Sequence, residues 1–303
     1  MNTRLTLPFR NLQCCSSHTM TRSRPAALFA HPAWGLGLPL LAGLFAAAAL
    51  ASTPCPAADP LEPTTPETGY FTPATQPDAT AYLPPPPQPG TVRQANDDQA
   101  FAATRALRGS PRWALATADA DLHENALLHS FSCAASLPLS TRNAPKLSAI
   151  IHKMDVSEIA DMRQSKAYWH RPRPFIGNSQ PICTEKDRAH LATSGAYPSG
   201  HTMLGWSTAL VLAELLPDRA TQILQRGRVF GESRIICGVH WESDVQAGYM
   251  LGSAEIAALH GSPAFRADMD TARTELAALR GKAPTAATPS CALEQEAASH
   301  SPL

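Results

Sequence analysis

The chain is 303 residues long and 44% hydrophobic, and its 25 Lys and Arg balance 25 Asp and Glu to a formal charge of zero. That is enough apolar material for one sizeable core or two small ones, so a globular protein is expected. Zero net charge leaves no whole-molecule field to draw in nucleic acid or an anionic membrane, so any affinity for anions has to be local.

In chain order, the first feature is a targeting segment. Arg22 and Arg24 precede an uncharged run rich in Leu and Ala, Leu36 to Ala51, which closes on Ala49-Leu50-Ala51. Basic residues, an apolar stretch and a small-residue exit mark a cleaved secretory leader, so residues 1–51 are read as a signal segment and the mature protein as periplasmic. The polar stretch before the run is long for such a leader, which makes Met20 the alternative start. The run is short for a membrane span and contains Pro39, so no membrane association is expected after cleavage. Residues 52–90 are rich in Pro and Thr and include "LPPPPQPG", Leu83 to Gly90, so they are expected to be extended and poorly packed, with ordered structure beginning after them. Residues 282–303 lack periodicity and are expected to be disordered. The folded domain is thus placed at 91–281.

Within it the spacing of apolar residues predicts helices over Asn96–Leu107, Arg112–Phe131, Ala144–Ser165, Thr202–Leu216, Asp218–Cys237, Ser243–Leu259 and Pro263–Leu279. No segment alternates like a strand. Gly238 should end a helix, Pro217 should stop the one before it, Pro263 can open the last, and Ser243 with Gln246 forms a capping-box pattern. The expected fold is an all-α, single-domain helical bundle. Cys133, Cys183 and Cys237 lie in the domain and Cys291 in the tail. None has the paired spacing of a zinc site, and two of the first three could form a disulfide, leaving the other as a small buried hydrophobe.

Three patches carry chemistry. In "KAYWHRPRP", proline follows each arginine and holds it in extended backbone, so Arg173 is aimed, with Lys166 a helical turn or two upstream. In "YPSGHTMLGW", Ser199 and Gly200 fall where an apolar helix begins. Their amides and the Ser199 hydroxyl make an anion site by geometry, with His201 beside it. In "GESRIICGVHWESD", Arg234 can grip phosphate-like oxygens with two N–H groups. Asp244, four residues after His240, can hold one imidazole N–H and leave the other nitrogen nucleophilic. Each patch alone has a bland reading as solvated charge, a helix cap or a buried hydrogen bond.

Together they form Lys166-x6-Arg173-Pro174, Pro198-Ser199-Gly200-His201 and Ser233-Arg234-x5-His240-x3-Asp244, with 23 and 31 residues between them. This resembles the three-part signature of the phosphatidic-acid-phosphatase and vanadium-haloperoxidase superfamily. The flanking "SFSCAASLPL", "RPRPFIGN" and "SRIICGVHWESDVQAG", with "YLPPPPQPG" upstream, resemble the bacterial class A non-specific acid phosphatases. The resemblance implies a helical acid phosphatase fold and hydrolysis of small-molecule phosphate monoesters through a phosphohistidine. In that scheme His240 is the nucleophile, Asp244 orients it and His201 is acid and then base. Lys166, Arg173, Ser199, Gly200 and Arg234 hold the phosphoryl oxygens. No metal and no other cofactor is implied, and phosphotransfer to alcohols and a homo-oligomer are both compatible. A vanadate-dependent haloperoxidase would use the same cations and histidine, but chain length and flanking text favour the phosphatase. A non-catalytic periplasmic phosphate-binding protein would need the cations but neither His201 nor the His240/Asp244 pair.

Overall fold

The computed structural model describes residues 68–280 and 289–301, all within one compact unit, Glu62–Leu303. The leader expected at 1–51 and the tail residues 282–288, 302 and 303 lie outside the described residues. The helices are α1 (Ala79–Tyr82), α2 (Val92–Arg105), α3 (Pro111–Ala118), α4 (Glu124–Ser130), α5 (Ser132–Ala135), α6 (Pro145–Trp169), α7 (Arg188–Ala192), α8 (Gly200–Leu215), α9 (Ala220–Ile236), α10 (Glu242–Leu259), α11 (Pro263–Arg280) and α12 (Pro289–Ser299). No strand occurs among the described residues, and the fold is all-α.

Local chemistry sets most boundaries. Thr91 and Ser110 cap α2 and α3 through their side chains, and Pro111 takes the first position of α3, where no N–H is needed. Helix α6 stops as His170 turns left-handed at φ 46°, releasing the chain into the extended Arg171–Pro174 stretch. Helix α9 ends just before Gly238, as expected. Its φ is +73°, and a Cβ there would meet the Arg105 guanidinium at 2.5 Å, so both conformation and space demand glycine.

Helix α8 is apolar nearly all round and packs between α9 and α10. Its closest approach to α10 is at Gly248, where a Cβ would lie 2.7 Å from the Ser199 carbonyl oxygen and 2.8 Å from Thr202. The missing side chain lets the N-terminal ends of α8 and α10 touch, and the Ser199 N–H donates to the Asp244 carbonyl at 3.0 Å. Phe131, Leu147, Met154, Leu212, Phe230 and Phe265 are fully buried in the main core beside this seam.

Five expectations are corrected. The single helix expected over Arg112–Phe131 breaks at 119–123, because Asp119 is drawn to Arg226 and Ser233 of α9 in place of continuing the helix. The tail is not disordered where it is described. Helix α12 is fastened by a Cys133–Cys291 disulfide and packs Leu293 and Ala297 on Leu115 and Val229. Cys133 is therefore not a lone buried thiol, and Cys183 pairs with Cys237, one of the pairings the sequence left open. Residues 52–67 of the Pro-rich stretch lie outside the described residues, but the rest is packed, not loose: the Ala79 N–H donates to Asp161 Oδ1 at 2.8 Å, Leu83 is buried, and the Tyr197 hydroxyl donates to the Pro84 carbonyl. Finally, α10 is capped by Asp244, whose Oδ2 accepts from the Trp241 N–H at 2.8 Å, while the Ser243 hydroxyl goes to Asp97 and Gln246 to Glu242.

Candidate active site

Each candidate residue sits where an element ends, and the ends meet at the α8–α10 seam. Lys166 comes from the last turn of α6, Arg173 from the extended stretch, and Ser199, Gly200 and His201 from the start of α8. Arg234 lies in the last turn of α9, His240 in the loop after Gly238, and Asp244 in the first turn of α10.

His240 is buried, with 2% of its surface exposed. Its Nε2 lies 3.0 Å from Arg173 Nη1 and its Nδ1 3.3 Å from Asp244 Oδ2. A guanidinium can only donate, so Nε2 must accept and the imidazole proton must sit on Nδ1, pointing at the carboxylate. His240 therefore presents an Nε2 lone pair toward the cations, the tautomer a nucleophile needs. Burial, then Arg173, Lys166 and Arg234, hold its pKa well below the usual imidazole value, so the ring is neutral.

Asp244 is fixed from several sides. Arg171 Nη1 donates to Asp244 Oδ1 and Arg171 Nη2 to Asp97 Oδ2, both at 2.6 Å. Asp97 in turn accepts from the Ser243 N–H at 2.8 Å and its hydroxyl at 2.6 Å. Burial pushes the Asp244 carboxyl up to about 6, against the pull of Arg171. Arg171 and Asp97 were not singled out from the sequence. The only signal for Arg171 was a second Arg-Pro pair in "RPRP", and Asp97 lies too far along the chain for any local pattern to connect it.

The cations crowd one another. Burial and the neighbouring Arg173 push Lys166 down to about 7, burial and Arg173 push Arg234 down to about 9, and burial pushes Arg173 down to about 10. Lys166 Nζ donates to the Gly195 carbonyl at 2.7 Å, and Arg173 Nε donates to the carbonyls of Leu191 and Ser194 at 3.0 and 3.1 Å. Arg234 differs: it is 2% exposed, yet its Nε and Nη1 have no protein acceptor. Buried donors are nearly always satisfied, so a guanidinium edge left open in a crowd of like charge points to an anionic ligand.

At the start of α8 one expectation fails. The Ser199 N–H is engaged by the Asp244 carbonyl, so it is not available to an anion, and of the two expected amides only that of Gly200 is left. The Ser199 hydroxyl accepts from Thr202 Oγ1 at 2.9 Å and keeps its own proton to donate. His201, half-buried, places Nε2 3.2 Å from the Ala120 carbonyl. A carbonyl accepts only, so Nε2 carries a proton. Burial and Arg234 hold the His201 pKa well below its usual value, opposed by that carbonyl. A cleft of about 650 Å³ is lined by Ala120, Asp121, Cys183 and Asp187 among others; His201 and the other candidate residues do not line it, and its link to them is Ala120, whose carbonyl meets His201. Among the described residues no group of three or more His, Cys, Asp or Glu is arranged to hold a metal ion, and no helix is long and apolar enough to cross a membrane.

The fold is helical, and at its α8–α10 seam three cations surround a neutral, carboxylate-held histidine. The PAP2 superfamily pattern matches residues 147–266, a span containing every candidate residue. The chain is 54% identical over 220 residues to an acid phosphatase of Zymomonas mobilis, covering 73% of this chain and 83% of that one. It is 37% identical over 245 residues to a non-specific acid phosphatase of Providencia stuartii, covering 79% and 98%. It is also 37% identical over 196 residues to one of Salmonella typhimurium, covering 64% and 78%. The chain belongs to the bacterial class A non-specific acid phosphatases of the PAP2 superfamily, and it is a phosphatase.

Proposed function

We propose that this phosphatase hydrolyses small-molecule phosphate monoesters through a phosphohistidine on His240. The observation that carries the reading is the pairing of a neutral His240, its Nε2 lone pair turned to the cations, with the open Arg234 edge beside it. Arg173 now donates to Nε2, and in the substrate complex it transfers that N–H to a phosphoryl oxygen, freeing the lone pair for attack. As the bond from Nε2 to phosphorus forms, the ester P–O bond breaks and the leaving oxygen takes a proton from His201. Water then gives a proton back to His201 and attacks phosphorus, the P–N bond breaks, and phosphate leaves with His240 restored. Lys166, Arg173, Arg234, the Ser199 hydroxyl and the Gly200 amide stabilise the equatorial oxygens, work done by a metal ion in other phosphoryl-transfer sites, so the reaction is proposed to be metal-independent.

Every contact in this scheme is to the phosphoryl group, so the alcohol portion is left unread, which favours broad specificity, and an alcohol in place of water would give phosphotransfer. The Leu36–Ala51 run and two disulfides, bonds that persist in oxidising compartments, support a signal segment at 1–51 and a periplasmic destination. A phosphorus-labelled substrate tests the central step. Denatured protein quenched at the end of the burst should carry label that acid releases, as from a phosphoramidate, His240→Ala should carry none, and excess EDTA should change neither result. Acid-stable label on a serine, or activity lost to EDTA and restored by zinc or magnesium, would overturn it.

A further inference from the structure

The helix break at 119–123 lies against the site, and one buried carboxylate holds it there. Asp119, 2% exposed, ends α3. Its Oδ1 pairs with Arg226 Nη2, and its Oδ2 accepts from Arg226 Nη1 at 3.2 Å and from the Ser233 hydroxyl at 2.6 Å. Arg226 is braced by the Ser130 carbonyl at 2.9 Å, and Ser233 also takes an N–H from Arg112 at 3.0 Å. Ser233 adjoins Arg234. The next residue along from Asp119 is Ala120, whose carbonyl accepts from His201 Nε2. A continuous set of bonds therefore runs from the α9 turn carrying Arg234, through Asp119, to the peptide that touches His201.

We propose that Asp119 is a positioning residue for the general acid: its ion pair with Arg226 and its bond to Ser233 fix the Ala120 carbonyl against Nε2–H, leaving Nδ1 as the nitrogen that hands its proton to the leaving group. The inference rests on the reading of His201 as acid. The Ala120 carbonyl opposes the three cations and favours protonated His201. If the carbonyl drifts, the ring loses its partner for the Nε2 proton while the cations stay. Less of the enzyme then carries protonated His201 at a given pH, and the basic limb of the rate profile moves to lower pH. Esters with alkoxide leaving groups, which need the proton, suffer more than aryl esters, whose phenolate leaves unaided.

The test compares ethyl phosphate with 4-nitrophenyl phosphate in single-turnover phosphorylation of the enzyme across pH, for wild type, His201→Ala, Asp119→Asn and Ser233→Ala, with thermal melting of each. Asp119→Asn should slow the alkyl ester about tenfold more than the aryl ester and shift the basic limb of the alkyl profile down, a fraction of the ~10²–10⁴-fold a general acid contributes. Ser233→Ala removes the hydroxyl's bonds to Asp119, Arg112 and the Val229 carbonyl but no charge, and it leaves the Asp119–Arg226 pair in place, so it should fold and show the same bias in weaker form, which keeps the test decisive if Asp119→Asn fails to fold. If His201→Ala discriminates between the esters while the foldable variants slow both equally with an unmoved limb, Asp119 is structural only and the inference is wrong. If His201→Ala itself does not discriminate, the general-acid reading falls and this inference falls with it.

Discussion

Helices α6, α8 and α10 each take part in two buried charge clusters of opposite sign. At one end Lys166, Ser199 with His201, and Asp244 meet Arg173 and Arg234. A turn or more inside the bundle, Glu158 and Asp161 of α6 meet Glu255 of α10, with Ser207 of α8 alongside Glu158. Burial disfavours charge in both, but the consequences differ. The cations keep donors open and are held down by burial and one another, Lys166 to about 7 and Arg234 to about 9. The carboxyls are pushed the other way: burial, then Asp161 and Glu158, raises Glu255 to about 10, and burial raises Glu158 well above the usual range. Burial is the largest influence on both Glu158 and Glu255 and favours the neutral carboxyl, with Ser207 pulling weakly the other way at Glu158. In the proposed mechanism a bound anion relieves the first cluster, whereas protons relieve the second.

That contrast breaks first at the nucleophile. His240→Ala should lower turnover at least ~10³-fold for aryl and alkyl esters alike, as expected when a covalent carrier is removed. Steady-state rates on 4-nitrophenyl phosphate measure it, and a loss below tenfold would take the carrier away from His240. Next in size is Arg171, which neutralises Asp97 and Asp244 where no other cation reaches them directly. Arg171→Met should destabilise the fold by about 3–5 kcal/mol by leaving two buried carboxylates without the cation they share. Denaturant unfolding would show it, and an unchanged midpoint would mean that the pair is dispensable.

Two pH predictions sharpen the comparison. In the proposed mechanism Lys166 holds phosphate only while charged, and with burial and Arg173 pushing its pKa down to about 7 that contribution is lost as pH rises through this value. The basic limb of kcat/KM should begin near there, whereas that of kcat should lie higher, because bound phosphate restores the charge. Coincident limbs would show that Lys166 does not contact the phosphoryl group. The carboxyl cluster predicts the smallest effect. Raised carboxyl pKa values leave their stability contribution intact below the usual range of about 4.5 and erode it as pH climbs toward the folded value of about 10 for Glu255. Glu255→Gln should therefore flatten the fall of melting temperature between pH 5 and 9, raising it by ~2–4 °C at the alkaline end for each ~1 kcal/mol recovered. A steeper fall in the variant would mean that Glu255 is ionised and paired.

How much of this was legible follows from the range of each interaction. Helix periodicity and end signals are local, so Gly238, Pro217 and Pro263 fell where expected, and the spacing of Lys166, Arg173, His201, Arg234, His240 and Asp244 marked candidate residues that the fold gathers at the α8–α10 seam. Whether the Ser199 amide was free was not legible, because its acceptor, the Asp244 carbonyl, lies 45 residues away. The same holds for α12. Its composition looks unstructured, and the distant residues Cys133, Arg226 and Arg228, with a patch of Leu115 and Val229, hold it in place.

By itself the sequence determined the elements and the kinds of group the chemistry uses, since both depend on neighbours within a few residues. Tertiary structure alone decided which groups stay unpaired: it turned His240 Nε2 toward Arg173, left the Arg234 edge open, broke the helix at Asp119 and enclosed three carboxyls without a cation. Those outcomes depend on which distant partner occupies each donor or acceptor, and partnership across the fold follows from packing, as at the Gly248 contact of α10 with α8.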